Sequence, residues 1–369
     1  MDYQRIKDLA KKFESDIIRI RREIHQNPET SWNEFNTTEI VRRELASTSF
    51  EIQTFGDKPG LVAKIGTGKP VIALRADMDA LSMAEETDLP FAATNGAMHA
   101  CGHDTHTAML IGAARIIDSI KDEIEGEIRL LFQPAEELSG GAKMFIAEGV
   151  MEGVDRVFGL HVMHDIPSGV FSVEAGPRMA SADVWEVEII GLGSHGAQPH
   201  LGRDAIVGAA SVIMNMQQII SRNLDPMESG VVTFGTIEGG DRFNIIADRV
   251  KMTGTTRSFN QHDRQMIAQR FREVLEHTCS AFGHTYTLKY DNVAPPLVND
   301  PILAQQGTQI AIALFGNEAV TYKKPMAGGE DFAYFTQQAQ GLYTFMGVCA
   351  DVNGCPPIHN PLFSPDESA

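Results

Sequence analysis

Ile6, Leu9, Phe13, Ile17, Ile20 and Ile24 recur at spacings of three and four, the period of an amphipathic helix with one apolar stripe. The stripe ends near His25-Gln26-Asn27-Pro28, where proline disfavours helical geometry in the residue before it. A second helix is expected over 37–46. The period then changes. Residues 60–65 and 71–76 read as strands. The second is a short apolar run, as a strand buried on both faces should be, and Asp77 and Asp79 follow at its carboxyl end. Helices are expected at 105–117 and 141–148, and strands at 127–132 and 157–162. Strands alternating with helices predict an α/β layer fold with a largely parallel sheet. Such sheets gather ligands at the carboxyl ends of their strands.

A different pattern starts near Arg178. Residues 183–190 alternate with period two, as a strand with one exposed face does. A helix follows at 205–220, then strands at 231–237 and 250–256, a helix at 262–282 and a strand at 285–290. This β-α-β-β-α-β order resembles the ferredoxin-like split unit. The expected organisation is one domain built from 1–178 and 293–369, with a second, 179–292, inserted into it. The chain returns to the first with a helix near 301–315 and a strand near 342–347.

Composition narrows the function classes. The 369 residues are 43% hydrophobic and 22% charged, a normal globular balance. The formal net charge is −18, which argues against a nucleic-acid backbone as partner. No apolar run approaches a membrane span, and the amino terminus has no apolar signal core, so a cytoplasmic protein without membrane contact is expected. Four cysteines are too sparse for a disulfide framework, and Cys349 and Cys355 are expected to stay unpaired.

The densest chemistry is Met98-His99-Ala100-Cys101-Gly102-His103-Asp104-Thr105-His106. Cys101 and His103 stand at the expected entrance to a helix, where a thiolate is favoured. Thiolate and imidazole together suit zinc and other late divalent metals. A lone cysteine or histidine there reads as a small buried hydrophobe or a cap; the density of this run outweighs that reading. Glu136-Glu137 follows an apolar strand and Gln133-Pro134-Ala135. Adjacent carboxylates at a low-dielectric edge repel unless a cation offsets them; taken alone, the pair reads more readily as two surface acids on a solvated loop. His161 lies at the end of a buried strand, as a core histidine or a ligand. His359 sits between Pro357 and Pro361, which fix its backbone either to hold a ligand or to shape a loop. No Walker-type phosphate loop, G-x-S-x-G elbow or H-E-x-x-H motif is present.

Arg75-Ala76-Asp77-Met78-Asp79-Ala80-Leu81, the 98–106 run, Gln133–Glu137, Gly159-Leu160-His161-Val162, Ser194-His195-Gly196-Ala197-Gln198-Pro199-His200, Gly328-Gly329-Glu330-Asp331-Phe332 and His359-Asn360-Pro361 occur in this order. Over nearly its whole length the chain resembles the aminoacylase-like metallo-amidohydrolases: hippurate hydrolases, N-acyl-L-amino-acid amidohydrolases and auxin-conjugate hydrolases. The resemblance implies a zinc-aminopeptidase-like α/β catalytic domain with an inserted lid that also serves homodimerisation. It implies Cys101, His103, Glu137, His161 and His359 as ligands of two divalent ions (zinc, manganese, cobalt or nickel), and Glu136 as general base. Asp79 matches an acid that supports the metal site through its ligands. His195 matches a lid histidine that approaches the reacting carbonyl, and Asn244 and Arg257 match lid residues that touch substrate. The family often has proline shortly after the lid asparagine; here the run is Asn244-Ile245-Ile246-Ala247.

The expected reaction is hydrolysis of the amide of a small N-acyl amino acid. Glu136 takes a proton from water and returns it to the leaving amine, while the metals and His195 stabilise the oxyanion. A metallo-dipeptidase or carboxypeptidase is the nearest alternative. A non-catalytic metal-binding protein is the third, and the intact Glu136-Glu137 pair argues against it.

Overall fold

The fold is that of a computed structural model describing residues 2–369. Helix α1 (Tyr3–Gln26) opens on Asp2, whose carboxylate accepts from the Gln4 and Arg5 amides, a cap that satisfies otherwise orphaned donors. In chain order follow α2 (Phe35–Leu45), β1 (Glu51–Phe55), β2 (Lys58–Thr67), β3 (Val71–Asp77), α3 (His103–Ser119), β4 (Gly126–Gln133), α4 (Gly141–Ala147), β5 (Arg156–Pro167) and β6 (Phe171–Ser172). Then come β7 (Ala182–Ile190), α5 (Ala205–Gln218), β8 (Gly230–Gly239), β9 (Arg249–Ser258), α6 (Gln261–Ala281) and β10 (Thr285–Ala294). The chain closes with α7 (Pro301–Phe315), β11 (Val320–Thr321) and β12 (Gln340–Cys349). Strand β1 was not expected: its residues alternate poorly and only Phe55 is buried.

The chain divides into two compact units. The first holds the residues through Gly176, Val298–Lys324 and Asp331–Ala369; the second holds Pro177–Leu297 and Pro325–Glu330.

The first unit carries an eight-stranded sheet in the order β1-β2-β4-β3-β5-β12-β6-β11. Its central strands β4, β3, β5 and β12 run parallel, and antiparallel pairing is kept to β1–β2–β4 and β12–β6. The parallel strands read as apolar runs because both faces are covered. Ile20, Ile24, Ile40, Val41 and Leu45 from α1 and α2 pack with Ile111 of α3 and with Leu61, Leu130 and Phe132 of the sheet. The β3–β4 register runs to Asp77 opposite Gln133. The β3–β5 ladder stops at Arg75 opposite Gly159, so His161 lies just beyond the point where its neighbour on that side lets go. That opening is the crevice expected at strand carboxyl ends.

The second unit is a four-stranded antiparallel sheet, β8-β9-β7-β10. Burial along β7 alternates residue by residue, because α5 and α6 cover one face only. Trp185, Val187, Ile189, Val212, Met216, Phe271 and Leu275 form that core. Connectivity and strand order are those of the ferredoxin-like split unit.

Among the described residues no helix is long and apolar enough to cross a membrane. One expectation is corrected. Cys349 and Cys355 are joined as a disulfide. Cys349 ends β12 and Cys355 closes a short turn beyond it, with Cα atoms 6.1 Å apart, inside the range a disulfide spans. Sparse cysteines excluded a framework but not one local pair.

Candidate metal centre

All five expected ligands and the expected base belong to the first unit, and its loops bring them together. Gly102 caps α3 with φ 83°, a conformation that favours glycine. A Cβ there would stand 2.4 Å from Val162 Cγ2. The tight passage puts the side chains of Cys101 and His103, on either side of this glycine, against β5. Donor atoms of Cys101, His103 and His161 lie within 4.8 Å of one another, and Cys101 Sγ is 3.3 Å from His161 Nε2. His161 Nδ1 donates to the Val162 carbonyl at 2.7 Å. His103 Nδ1 donates to the Asp79 carbonyl at 2.8 Å, with Asp79 Oδ1 at 3.2 Å. In each ring the engaged Nδ1 fixes the orientation and leaves Nε2 as the atom that would hold a cation.

His359 arrives from the opposite end of the chain. It has φ 62°, and its amide donates to the Ala100 carbonyl at 2.8 Å. Its Nε2 lies 3.3 Å from both Cys101 Sγ and Glu137 Oε1, and half of its side chain is exposed. Cys101, Glu137 and His359 form a second donor group, and His103, Glu136 and Glu137 a third. The groups overlap, sharing Cys101, His103 and Glu137.

The Glu136–Glu137 turn is fixed from below. Asp79 is 1% exposed, and its two oxygens accept the Glu136 and Glu137 amides, each at 3.1 Å. Ser31 Oγ donates to the same carboxylate at 2.6 Å. The Asp331 amide donates to Glu136 Oε1 at 3.4 Å. Asp331 itself is held by Arg75 and Gln133, residues from the ends of β3 and β4. Arg75 also binds Asp77 at 2.6 Å. Sequence reasoning quoted these motifs but gave Arg75, Asp77, Gln133 and Asp331 no role; the alternation of a charged residue inside a buried strand was the available signal.

A rival donor group, Asp77, His103 and His106, also converges. His106 is saturated: Nδ1 binds Asp77 at 2.6 Å and Nε2 accepts the Val162 amide at 2.9 Å. Asp77 is likewise engaged by Arg75. Asp77 and His106 therefore act as a hydrogen-bonded support, and His103 is the member of this group whose Nε2 has no hydrogen-bond partner.

Electrostatics favour a cation. Burial alone would lower the His103 imidazole, yet Asp77 and Cys101 outweigh it and hold it well above its usual value of 6.5. Cys101 and then Glu137 push His359 up to about 10. Both shifts report the acidic groups that face these rings, while burial pushes the Cys101 thiol up. Burial, with His106, pushes His161 well below 6.5, so that ring is neutral, as a ligand must be. One thiol, three imidazoles and two carboxylates in overlapping groups fit a pair of divalent ions, and their mixed sulfur, nitrogen and oxygen donors fit late transition metals.

The remaining expected residues lie in the second unit. His195 is exposed and sits in a two-residue ladder, Ser194–His195 against Ile245–Ile246. Its Nδ1 accepts the Ala197 amide at 3.0 Å, so its Nε2 carries the proton of the neutral ring. Asn244 is exposed and its carbonyl accepts the Gly196 amide at 2.8 Å. Arg257 is half-buried and donates to the Ala327 and Thr256 carbonyls at 3.1 and 3.0 Å. Burial lowers its pKa.

Comparison with known proteins agrees with this geometry. Residues 73–369 match the family described as peptidase family M20/M25/M40. The chain is 42% identical to the N-acetyl-L-cysteine deacetylase of Bacillus subtilis (strain 168), covering 96% of this chain and 85% of that protein. It is 40% identical to thermostable carboxypeptidase 2 of Saccharolobus solfataricus, covering 99% and 94%. It is 37% identical to the IAA-amino acid hydrolase ILR1-like 2 of Arabidopsis thaliana, covering 95% and 81%. Among solved structures, the Bacillus subtilis YXEP protein, a dinuclear metal binding peptidase from the M20 family, superposes with a TM-score of 0.84 at 35% identity over 97% of this chain and 94% of that one. With a converging donor set and matches along nearly its full length, the chain belongs to peptidase family M20/M25/M40.

Proposed function

We propose that this metal-dependent amidohydrolase removes the acyl group from N-acyl amino acids. The observation that carries the reading is the meeting of Cys101, His103, Glu136, Glu137, His161 and His359 in overlapping donor groups. Cys101, His103, Glu137, His161 and His359 would hold two divalent ions, zinc, manganese, cobalt or nickel. When bound, such ions supply Lewis acidity that polarises an amide carbonyl and lowers the pKa of water. Glu136 takes the proton of the attacking water on Oε1 or Oε2 and delivers it to the leaving nitrogen. The Asp331 amide on Oε1 keeps that carboxylate oriented. His195 offers its Nε2–H to the developing oxyanion, and Asn244 and Arg257 touch the substrate. Asp79 holds His103 and the Glu136–Glu137 turn in one frame.

Relatives named as deacetylases and amino acid hydrolases support an acyl amino acid as substrate. A relative named as a carboxypeptidase supports the second reading, cleavage of small peptides. A panel of N-acetyl, N-benzoyl and indole-acyl amino acids beside dipeptides, each with zinc, manganese, cobalt and nickel, separates them. Turnover of N-acyl amino acids at least tenfold above dipeptides is expected; the reverse order sinks the first reading. The protein is read as a cytoplasmic homodimer that pairs through the second unit. Strand β8 is an outer strand of its sheet; Val231 and Ile237 on it, and Val207 and Met214 on α5, leave apolar surface exposed. A monomer by light scattering at micromolar concentration would remove that part.

A further inference from the structure

Glu34 lies directly before α2, more than a hundred residues from the Glu136–Glu137 turn, and has no exposed surface. Its Oε1 accepts the Ala135 amide at 2.7 Å, and its buried Oε2 has no hydrogen-bond partner. Ala135 is fully buried and has φ 53°, a left-handed conformation that a non-glycine residue keeps only when its surroundings over-determine it. The surroundings do so. Three successive amides, Ala135, Glu136 and Glu137, are taken by two carboxyl groups, Glu34 and Asp79. The Ser139 amide closes the turn onto the Glu136 carbonyl at 2.7 Å, and the Gly140 amide onto the Ala135 carbonyl at 3.1 Å.

We infer that Glu34 is a positioning residue: through the Ala135 amide it sets the left-handed step that aims Glu136 and Glu137 into the donor cluster. The inference rests on the reading of Glu136 as base and Glu137 as ligand. Without the Glu34 oxygen, the Ala135 N–H is buried and unpaired, and the residue relaxes toward ordinary backbone geometry. That rotation swings the next two side chains, and displacement of a catalytic group by about 1 Å can cost about a hundredfold in rate. The acid acts here as a neutral acceptor. Burial, then the neighbouring Asp79, pushes its pKa up to about 8, so near neutral pH it keeps its proton and places no second anion beside Asp79.

The test compares three variants of the metal-loaded enzyme with wild type and reads kcat, KM, metal content and Tm. Glu34→Gln keeps a neutral carbonyl acceptor for the Ala135 amide and should retain kcat at neutral pH within about threefold. Glu34→Leu keeps the bulk and removes the acceptor; kcat should fall about 10- to 100-fold with KM changed by less than about threefold. Leu45→Ala, a fully buried α2 residue remote in role from the turn, supplies a comparable loss of stability and should keep kcat within about threefold. Should Glu34→Leu fail to fold, Glu34→Asp carries the test. It withdraws the acceptor by one methylene and should lower kcat about tenfold. The inference is overturned by Glu34→Leu, or Glu34→Asp, at wild-type kcat. It is overturned equally if Glu34→Gln loses as much as Glu34→Leu, or if Leu45→Ala matches the kcat loss. Glu136→Gln run beside them separates the two levels: if it too turns over like wild type, the parent reading falls and takes this one with it.

Discussion

The two units bury their strands in opposite ways, and their chemistry follows. In the second unit β7 alternates buried and exposed residues, its core is largely apolar with the buried Asp183–Arg264 ion pair beside it, and His195 and Asn244 stand on the surface. In the first unit β3 ends in three buried residues, Arg75, Ala76 and Asp77, and buried ionisable side chains continue through Asp79, His103, Asp104 and His161. Burying so many polar groups is tolerable only if each finds a partner. Arg21 binds Asp104 at 2.8 Å, His25 binds Asp104 at 2.8 Å and Glu85 at 3.1 Å, and Arg75 binds Asp77 and Asp331. On the proposed reading the second unit is a platform that carries its contributing residues on the surface, whereas the first buries its donor cluster and surrounds it with a dense supporting network.

If that contrast holds, damage in the first unit should reach chemistry or global stability, and damage in the second should stay local. Glu136→Gln should cut turnover by about 10²- to 10⁴-fold while metal content by elemental analysis stays at the wild-type level. Arg21→Leu leaves the buried Asp104 carboxylate short of its cation and should destabilise by about 3 to 5 kcal/mol in urea denaturation. Asp79→Asn should weaken metal retention against a chelator by about 10- to 100-fold, since it disturbs His103 and the Glu136–Glu137 turn together. Smallest is Asp204→Ala in the second unit. Asp204 caps α5 through the Ile206 amide at 2.9 Å, and its loss should cost about 1 kcal/mol with metal content and kcat unchanged. A loss of bound metal in Asp204→Ala would break the comparison.

Acid sharpens it further. Burial alone would raise the Asp104 carboxyl, but Arg21 and His25 outweigh it and hold it far below the usual carboxylate range. A depressed folded pKa contributes stability above the unfolded value, about 3.9, and that contribution drains away as pH falls below it. Wild type should therefore lose urea resistance between pH 5 and pH 3 more steeply than Arg21→Leu, which no longer has most of that contribution to lose. His25 shifts upward, so its share is complete below about 6.5 and fades only as pH rises through the folded value.

Much of this was legible in the chain because the signals were local. The three- and four-residue spacing from Ile6 to Ile24 matches α1, the apolar run at 71–76 matches β3, and the β-α-β-β-α-β order matches the second unit. The Cys101–His103 run and Glu136-Glu137 stand out as residue types at short spacing. What escaped acts over long separations or without periodicity. Strand β1 carries little apolar alternation and pairs by its backbone with β2. Glu34 looks like any surface acid until folding sets it against Ala135. Asp331 reaches Glu136 across 195 positions. The Cys349–Cys355 bond depends on a local turn, whereas compartment reasoning speaks only to the average protein.

Asp79 also has a mechanical meaning. One carboxylate grips two amides of the turn that bears Glu136 and Glu137, while its own carbonyl steadies the ring that leads α3. The two halves of the donor cluster are thereby yoked to a common pivot. An ion entering either half stiffens the other, so calorimetric titration of the stripped enzyme should show cooperative uptake of its two equivalents, and cutting the yoke with Asp79→Asn should split that uptake into two separate steps.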